Sequence, residues 1–496
     1  MFRKILVANR GEIALRVIRT CRELGIRTVA VYSDADRWAG YVAQADEAYR
    51  LGPPPSRESY LRLDALLEIA RRSGAQAVHP GYGFLSENAD FAEACAAAGL
   101  VFIGPKPHAL RALGNKIAAR RAAEALGIPV VPGLSEPADE SRARAFAARH
   151  GYPILLKAAG GGGGKGMRVV REEADLARSL REASREAAQS FGDPTIFLER
   201  YVPRPRHVEI QIFGDGRGRV VHLGERDCSI QRRHQKLLEE SPSPAVDAAL
   251  RERMGRTACE LARSAGYENA GTCEFLLDED GRFYFLEVNA RLQVEHPVTE
   301  MITGLDLVAL QIRIAAGEAV PLEEVPRRGH AIEMRICAED PARRFAPATG
   351  TVTSVRLPAG PFVRVDADLA PGMPVPVYYD SLLAKLVCWG PDREAARARA
   401  RRALDEFVVT GVPTTVPFHR RLLDDPRFRS GRIHTRFVEE EFPPDEETAD
   451  RAEDAACLAA VLECARRAAA AAPPPSADGR DRSLSAWKLA FRENGT

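Results

Sequence analysis

The sequence TCEFLLDEDGRFYFLEVNARLQVE, residues 272–295, has two apolar runs on either side of the polar segment DEDGR. An Asp-Gly pair between apolar runs is typical of the tight turn of an antiparallel hairpin. If the turn occupies residues 279–282, the register places Glu274 directly opposite Glu287. The centre of the chain is therefore predicted to contain antiparallel sheet.

The facing carboxylates of this hairpin need an explanation, because like charges opposed across two strands are destabilising. A divalent cation between Glu274 and Glu287 would remove the conflict, and Mg²⁺ is the usual partner of carboxylates and substrate phosphates. Asn289 offers a further oxygen ligand on the same face of the strand. We therefore predict a metal site formed by these three residues.

The second strand is expected to continue to residue 295, with alternate side chains on one face. That face would carry Glu287, Asn289, Arg291, Gln293 and Glu295. An arginine, an amide and a carboxylate in a row resemble a pocket for a small anion with a base beside it. The alternative is the solvated face of an amphipathic strand, but this face has neither the Thr nor the Lys that such faces favour.

Five consecutive glycines at residues 160–164 lie between Lys157 and Lys165. Their backbone N–H groups are unobstructed, and together with two lysines they can hold a polyphosphate. The loop is not a Walker A motif, because Gly166 follows Lys165 where that motif has Ser or Thr. Strand-like residues flank it, so we expect a flap over a nucleotide rather than a flexible linker. Lys116 is a second candidate for phosphate binding.

Residues 225–236, ERDCSIQRRHQK, place four cationic side chains and a histidine in one short segment. Such a run is usually the solvated face of a helix. Its position between the glycine loop and the acidic hairpin favours anion binding instead. So does Lys236, because only eight of the 70 basic residues are lysines. His207, taken alone, is more typical of a structural histidine.

The N-terminal region alternates short apolar runs with helix-length segments, a pattern that predicts a parallel sheet with crossover helices. This Rossmann-like layer lacks the dinucleotide fingerprint, because GYGFLS at residues 81–86 ends in Ser, so a nicotinamide cofactor is not expected. The later regions mix α and β patterns. A chain of 496 residues suggests about three domains, with boundaries at 1–113, 114–333 and 334–446, before an Ala/Pro-rich tail at 447–496.

Composition limits the classes of function. The chain is 45% hydrophobic and 28% charged with a net charge of +1, which argues against a disordered or membrane protein and against a broad nucleic-acid-binding surface. Nine cysteines without a CxxC pair suit neither a zinc site nor a disulfide framework. The apolar run at residues 5–8 is too short for a signal peptide. A cytoplasmic location is expected.

Five motifs together resemble those of biotin carboxylases, which are ATP-grasp enzymes. They are NRGEIA at 9–14, HPGYGFLSEN at 79–88, the glycine loop, ERDCSIQRRHQK at 225–236 and NARLQVEHP at 289–297. The likeness runs in order from residue 1 to about residue 446. It implies α/β and α+β architecture: a Rossmann-like N-terminal domain, an ATP-grasp domain with a mobile glycine-loop lid at about 130–203, and an α+β C-terminal domain.

The resemblance implies an ATP-dependent ligase that carboxylates biotin on a separate carrier protein, using bicarbonate and a carboxyphosphate intermediate. ATP and Mg²⁺ or Mn²⁺, with two ions expected, would be its cofactors. FAPATG at 345–350 with VYYD at 377–380 is similar to the acyl-CoA carboxylase branch. That likeness implies carboxylation of acetyl-, propionyl- or methylcrotonyl-CoA, and for acetyl-CoA a part in fatty acid biosynthesis.

The same resemblance implies roles for individual residues. The ATP site matches Lys116, Lys157, Gly163, Gly164, Lys165, Glu199, Arg200, Tyr201, Val202, His207, His234, Glu274 and Glu287. The metal ligands match Glu274, Glu287 and Asn289, in agreement with the hairpin argument. The bicarbonate and biotin pocket matches Lys236, Arg291, Gln293, Val294 and Arg335. Glu295 matches the base that deprotonates bicarbonate, and Arg335 the arginine that stabilises the biotin enolate.

Partners also follow from the resemblance. AWKL at 486–489 is a poor match to a biotinylation motif and only eight residues follow Lys488, so we expect a separate biotin carboxyl carrier protein and separate carboxyltransferase subunits. We expect a homodimer through a face with Arg19 and Glu23, and neither nucleic acid nor membrane as partner. Two alternatives are a nucleotide-binding regulatory subunit without turnover and a ligase that forms carbamoyl phosphate.

Overall fold

The computed structural model describes residues 1–134, 136–158, 166–191, 193–319, 325–442 and 463. The chain divides into one unit of Met1–Pro444 and a second of Asp445–Thr496, of which only Glu463 is described. The predicted tail at 447–496 therefore lies, apart from that residue, outside the described residues. Within the described ranges, no helix is long and apolar enough to cross a membrane.

The N-terminal region alternates strands and helices. Its elements are β1 (Lys4–Val7), α1 (Gly11–Glu23), β2 (Arg27–Ser33), α2 (Gly40–Gln44), β3 (Glu47–Gly52), α3 (Leu63–Ser73), β4 (Ala77–His79), α4 (Ala89–Ala97), β5 (Val101–Phe102) and α5 (Pro107–Leu113). The strands form one parallel sheet in the order β3-β2-β1-β4-β5. Parallel neighbours need crossover connections, which the helices supply. The predicted Rossmann-like sheet is confirmed.

A smaller antiparallel unit follows. Its elements are α6 (Lys116–Ala125), β6 (Gly133–Leu134), α7 (Glu140–His150), β7 (Ile154–Ala158), β8 (Met167–Val170), α8 (Glu173–Phe191) and β9 (Ile196–Arg200). The strands pair in the order β6-β9-β7-β8. Lys157 pairs with Met167 across β7 and β8, so the glycine loop joins two adjacent strands as expected. Residues 159–165 of that loop, with Gly163, Gly164 and Lys165, lie outside the described residues.

The central region consists mainly of long antiparallel strands. Its elements are β10 (Arg206–Gly214), β11 (Val220–Arg232), β12 (Gln235–Ser241), α9 (Ala248–Ser264), β13 (Asn269–Leu277), β14 (Phe283–Asn289), α10 (His296–Thr303) and α11 (Leu307–Ala315). The basic segment 225–236 belongs to the β11–β12 hairpin and is not a solvated helix. Several of its ionic side chains are consequently buried, with Arg226 wholly inaccessible to solvent.

The C-terminal region extends the central sheet. Its elements are β15 (His330–Cys337), β16 (Glu339–Asp340), β17 (Ala346–Pro347), β18 (Gly350–Thr351), β19 (Ser354–Arg356), β20 (Val363–Ala367), β21 (Pro374–Val375), β22 (Leu382–Gly390), α12 (Arg393–Glu406), β23 (Val408–Thr410), α13 (Val416–Asp424), α14 (Pro426–Arg429) and α15 (Phe437–Glu440). Eight strands share one sheet in the order β14-β13-β10-β11-β12-β15-β22-β20. Arg335 on β15 therefore belongs to the same sheet as Glu274 on β13.

Helix starts are fixed by asparagine and aspartate caps, which accept hydrogen bonds from the free N–H groups of the first turn. The capping residues include Asn88, Asn115, Asp139, Asp247, Asp306 and Asp392. Asn115 accepts from Ile117 and Ala118. Lys116 is thereby held at the first position of α6, where it lines the cavity described below.

The buried His419 on α13 should make the free energy of unfolding of the protein sensitive to acid. Its Nε2 lies 2.9 Å from the carbonyl oxygen of Arg335, and burial lowers the pKa of the imidazole to about 4. Unfolded histidine titrates near 6.5, so below that pH only the unfolded chain binds the proton. Stability is complete above pH 6.5 and falls by up to about 3 kcal/mol as the pH drops to about 4. The H419Q variant should lose less stability in this window.

The measurement is the unfolding midpoint of wild type and H419Q between pH 7 and pH 4.5. His108 is exposed, so H108Q serves as the matched control and should follow wild type. Equal pH slopes for H419Q and wild type would show that His419 does not carry the effect.

Candidate active site

A cavity of about 1110 Å³ opens between the N-terminal region, the small antiparallel unit and the central and C-terminal strands. All the predicted site residues that the structure describes line it. They are Lys116, Lys157, Glu199, Arg200, Tyr201, Val202, His207, His234, Lys236, Glu274, Glu287, Asn289, Arg291, Gln293, Val294, Glu295 and Arg335. Sequence positions more than 200 residues apart thus meet at one site.

The acidic hairpin has the expected carboxylate pair but a different turn. Leu277 pairs with Phe283, which makes the turn one residue longer than predicted. A bulge between Phe285 and Glu287 then shifts the register by one residue and restores Glu274 opposite Glu287. The predicted four-residue turn is wrong, and the predicted facing carboxylates are present.

The strand that carries the anion-pocket residues is shorter than expected. β14 ends at Asn289, and residues 290–295 form an irregular segment that leads into α10. Proline at position 297 suits the first turn of that helix. Gln293 and Glu295 are nevertheless buried and point at their partners in the cavity wall.

Lys236 lies among three carboxylates. Its Nζ is 2.6 Å from Glu209 Oε2, 3.0 Å from Glu274 Oε1 and 2.6 Å from Glu295 Oε1. Burial by itself would lower the pKa of the ammonium, but the three carboxylates outweigh it and raise the pKa of Lys236 well above its ordinary value. The lysine is therefore a permanent cation at the base of the cavity.

Glu295 is held between two cations. Its Oε1 accepts from Lys236, and its Oε2 accepts from Arg335 Nη2 at 2.9 Å. Burial favours the protonated acid, yet Lys236 and Arg335 lower the pKa of Glu295 well below its usual range. Arg335 is positioned in turn by Glu239, whose Oε1 is 2.6 Å from its Nε. Glu295 is therefore ionised at neutral pH, which is the protonation state that a general base requires.

Arg291 and Asn289 form the edge of the site nearest the N-terminal region. Arg291 Nε donates to Glu87 Oε2 at 2.9 Å, and its Nη2 donates to Asn289 Oδ1 at 3.0 Å. Glu87 also accepts from the backbone N–H of Ala290 at 2.9 Å. A side chain of the HPGYGFLSEN motif thus orients the anion-pocket segment.

The turn of the β11–β12 hairpin projects His234 into the cavity. Arg233 and His234 form a two-residue loop with φ of 47° and 65°, and the flanking residues Arg232 and Gln235 pair. Positive φ at both central positions defines a type I′ turn, which usually contains Asn or Gly. Strain of this kind is concentrated at functional sites. The basic segment 225–236 therefore contributes a strained turn, with His234, to the wall of the cavity.

At the predicted nucleotide end of the cavity, each lysine already contacts an acid. Lys116 Nζ is 2.6 Å from Glu287 Oε2, and Lys157 pairs with Glu199. Tyr201 accepts from Arg436 Nη1 at 2.7 Å, so α15 and the end of β9 meet near this site. Each lysine therefore has a carboxylate as its counter-ion in this structure.

The buried residues around the site that the sequence did not predict include Glu209 and Arg226. Glu209 lies opposite both Glu274 and Arg226 in the sheet, and contacts Lys236. Arg226 donates to Glu209, Gln211, Thr272, Gln293 and Thr299. The sequence could have indicated Glu209, because it lies two residues after His207 and alternate residues of a strand share one face. For Arg226 the charge run gave no way to choose among its arginines.

The predicted metal ligands offer a suitable donor set. Glu274 and Glu287 face each other on β13 and β14, and Asn289 adds an amide oxygen on the same hairpin. Three hard oxygen donors beside two lysines suit Mg²⁺ with substrate phosphates. His207 Nε2, at 3.0 Å from Glu274 Oε2, orients that carboxylate. The residues present therefore fit the implied metal.

Family models match three successive parts of the chain. They are the biotin carboxylase N-terminal domain over residues 1–110, the ATP-binding domain of the carbamoyl-phosphate synthase L chain over 115–323, and the biotin carboxylase C-terminal domain over 333–440. The second of these models is an ATP-grasp domain, and the other two are described as domains of biotin carboxylase.

Curated relatives and solved structures agree with these models. The chain is 51% identical to biotin carboxylase of Nostoc, covering 88% of this chain and 99% of that protein. It is 50% identical to biotin carboxylase 1 of Bacillus subtilis, covering 88% and 98%. The biotin carboxylase domain dimer of Hydrogenobacter thermophilus 2-oxoglutarate carboxylase, solved with MgADP, ADP and bicarbonate, superposes with a TM-score of 0.85 at 46% identity, covering 89% and 98%. The chain belongs to the biotin carboxylase family.

Proposed function

We propose that this chain carboxylates biotin on a separate carrier protein, with ATP and bicarbonate as co-substrates, and that the cavity residues named above carry the reaction. The observation that carries the proposal is Glu295, a buried carboxylate held between Lys236 and Arg335 next to the acidic hairpin. A base flanked by two cations suits an anionic substrate that must lose a proton before it attacks phosphorus.

Bicarbonate would bind among Lys236, Arg291, Gln293, the backbone N–H of Val294 and Arg335. Lys236 and Arg291 offset its charge, and Gln293 is held in one orientation by Arg226 at 2.7 Å. Glu295 then takes the proton of bicarbonate, and the resulting carbonate oxygen attacks the γ-phosphorus of ATP. The bond from that phosphorus to the β,γ-bridging oxygen breaks, which gives carboxyphosphate and ADP. Proximity to a fixed base removes much of the entropic cost of this step.

The nucleotide would lie along Lys116, Lys157, His207 and His234, with the adenine against residues 199–202. Gly163, Gly164 and Lys165, which lie outside the described residues, are proposed to bind the phosphates. Bound Mg²⁺, held by Glu274, Glu287 and Asn289, supplies charge neutralisation at the transferring phosphoryl group. Arg335 offers paired donors to the ureido oxygen of biotin as negative charge develops on it.

We further propose that the partners are a biotin carboxyl carrier protein, carboxyltransferase subunits and a second copy of the chain. Relatives at about 50% identity include components of pyruvate and methylcrotonoyl-CoA carboxylases. Carboxylation of biotin therefore serves carboxylases that act on different acceptors. An acetyl-CoA or other acyl-CoA acceptor is the proposal for this chain. The described cysteines are free, which supports a reducing, cytoplasmic location.

Two features count against a nucleotide-binding protein without turnover. Glu274, Glu287 and Asn289 are all present on the acidic hairpin, and the base and its two cations contact one another. A regulatory protein has no need to retain a buried base and an anion pocket. The family-specific models at both ends of the chain argue equally against a carbamoyl-phosphate ligase.

The test is ADP release by the purified chain with MgATP and bicarbonate, with and without free biotin. We expect release that requires bicarbonate and increases with biotin. Removal of Mg²⁺ by EDTA should abolish it, and added Mg²⁺ should restore it. ADP release that is indifferent to both bicarbonate and biotin would exclude the proposed reaction.

A further inference from the structure

Lys385 on β22 is a buried lysine that does not line the cavity. Its side chain has no solvent accessibility. The Nζ donates to the carbonyl oxygen of Val294 at 3.0 Å, and lies 3.2 Å from Glu12 Oε2 and 3.8 Å from Asp366 Oδ2. An ammonium removed from water is stable only where acceptors and opposite charge surround it. The two carboxylates balance its charge, and the carbonyl takes one of its three hydrogens.

The carbonyl and the two carboxylates around Lys385 come from three separate parts of the molecule. Glu12 is at the start of α1, in the NRGEIA motif, and also accepts from the hydroxyl of Tyr82. Asp366 is on β20 and is paired with Arg364 at 2.7 Å. Val294 is in the irregular segment directly before Glu295. Lys385 is therefore the point at which the N-terminal loop and the C-terminal strands meet the segment that carries the base.

The residue 290–295 segment has no strand pairing of its own, so its backbone depends on contacts from behind the cavity. His296 Nδ1 lies 2.8 Å from the carbonyl of Gln293, and Lys385 holds the next carbonyl, that of Val294. Fixing the Val294 carbonyl fixes the plane of the peptide that joins it to Glu295. That peptide leads to the Cα of Glu295, so the bond from Lys385 helps to set the position of the Glu295 side chain, whereas the Val294 N–H lies in the preceding peptide, whose carbonyl contacts His296.

We propose that Lys385 is a positioning residue for bicarbonate binding, acting through its hydrogen bond to the Val294 carbonyl. The inference rests on the proposed function and assigns a role to a lysine that no sequence motif singled out. A compact ammonium suits this role better than the larger planar guanidinium of arginine, because it can donate to one carbonyl while its charge lies close to two carboxylates.

The experiment compares K385M, E12Q and the double variant K385M/E12Q with wild type. Bicarbonate KM, ATP KM and kcat are measured in the biotin-dependent assay, together with the thermal unfolding midpoint. Lys106, a half-exposed lysine paired with Glu268 at 3.1 Å, provides the matched control K106M. The double variant matters because K385M alone leaves Glu12 without its buried counter-charge.

We expect bicarbonate KM to rise about tenfold in K385M, the effect of one lost hydrogen bond from a charged donor, while ATP KM is unchanged. E12Q keeps Lys385 and its bond to Val294, so its bicarbonate KM should stay near wild type. The double variant, compared with E12Q, should show the same tenfold rise with a midpoint nearer wild type. K106M should behave as wild type in every measurement.

Different results would contradict different claims. A K385M or double variant with altered stability but unchanged bicarbonate KM would show that Lys385 only balances charge. An equal rise in E12Q would assign the effect to the N-terminal contact and overturn the role of the Val294 bond. Absence of bicarbonate-dependent turnover in wild type would overturn the proposed function and, with it, this inference.

Discussion

Replacing Glu295 by glutamine should lower bicarbonate-dependent ADP formation by about 10²- to 10⁴-fold, the usual contribution of a general base. The amide has nearly the size of the carboxylate but cannot accept the proton of bicarbonate. The cavity should survive the change, because Lys236 keeps Glu209 and Glu274, and Arg335 keeps Glu239. The loss should therefore appear in kcat and not in the affinity for nucleotide.

Two measurements separate these effects. Turnover is followed by ADP release, and nucleotide affinity by titration with a fluorescent ATP analogue in the presence of Mg²⁺. The matched control is E279Q, in the exposed turn of the acidic hairpin, which should behave as wild type. Near-normal turnover of E295Q would mean that another group removes the proton, and lost nucleotide binding would mean that Glu295 is structural.

The hairpin shows which part of the site the sequence could predict. The period-two pattern and the Asp-Gly turn predicted the hairpin, but Glu274 lies opposite Glu287 only because two unpredicted features, a longer turn and a bulge, cancel each other. The longer turn and the bulge near Leu286 each shift the register by one residue in opposite directions, and the apolar pattern gives no signal for either of them. Local pattern determines which residues share a face, but tertiary packing decides where a strand bends or ends.

The parallel N-terminal sheet was predictable for a similar reason, because its strands and helices alternate with clear periodicity. The joining of the central and C-terminal strands into one sheet was not, because β12 and β15 are almost 90 residues apart and pair only in the folded protein. Glu239 and Arg335 meet through this pairing. Contacts of that kind carry no local signal in a single sequence.

Among the contacts that the sequence did not predict, those of Arg226 should have the largest effect on stability. Each of its five N–H groups has an acceptor, and its side chain is wholly buried. Burial would lower the pKa of the guanidinium, but Glu209 and Glu295 outweigh it and raise the pKa. Arg226 therefore stabilises the carboxylate cluster around Lys236 and also fixes Gln293 at 2.7 Å.

The R226M variant should lose about 3–5 kcal/mol of stability, because breaking a buried ion pair leaves uncompensated charge and unpaired polar groups. Calorimetry should show a lower unfolding midpoint. The folded fraction of the variant should bind bicarbonate weakly, because Gln293 loses its hydrogen bond from Arg226. The double variant R226M/E209Q removes the excess charge and should regain part of the loss. R282M, an exposed arginine in the hairpin turn, should stay near wild type. A double variant no more stable than R226M would show that lost hydrogen bonds, and not the unpaired carboxylate, account for the loss.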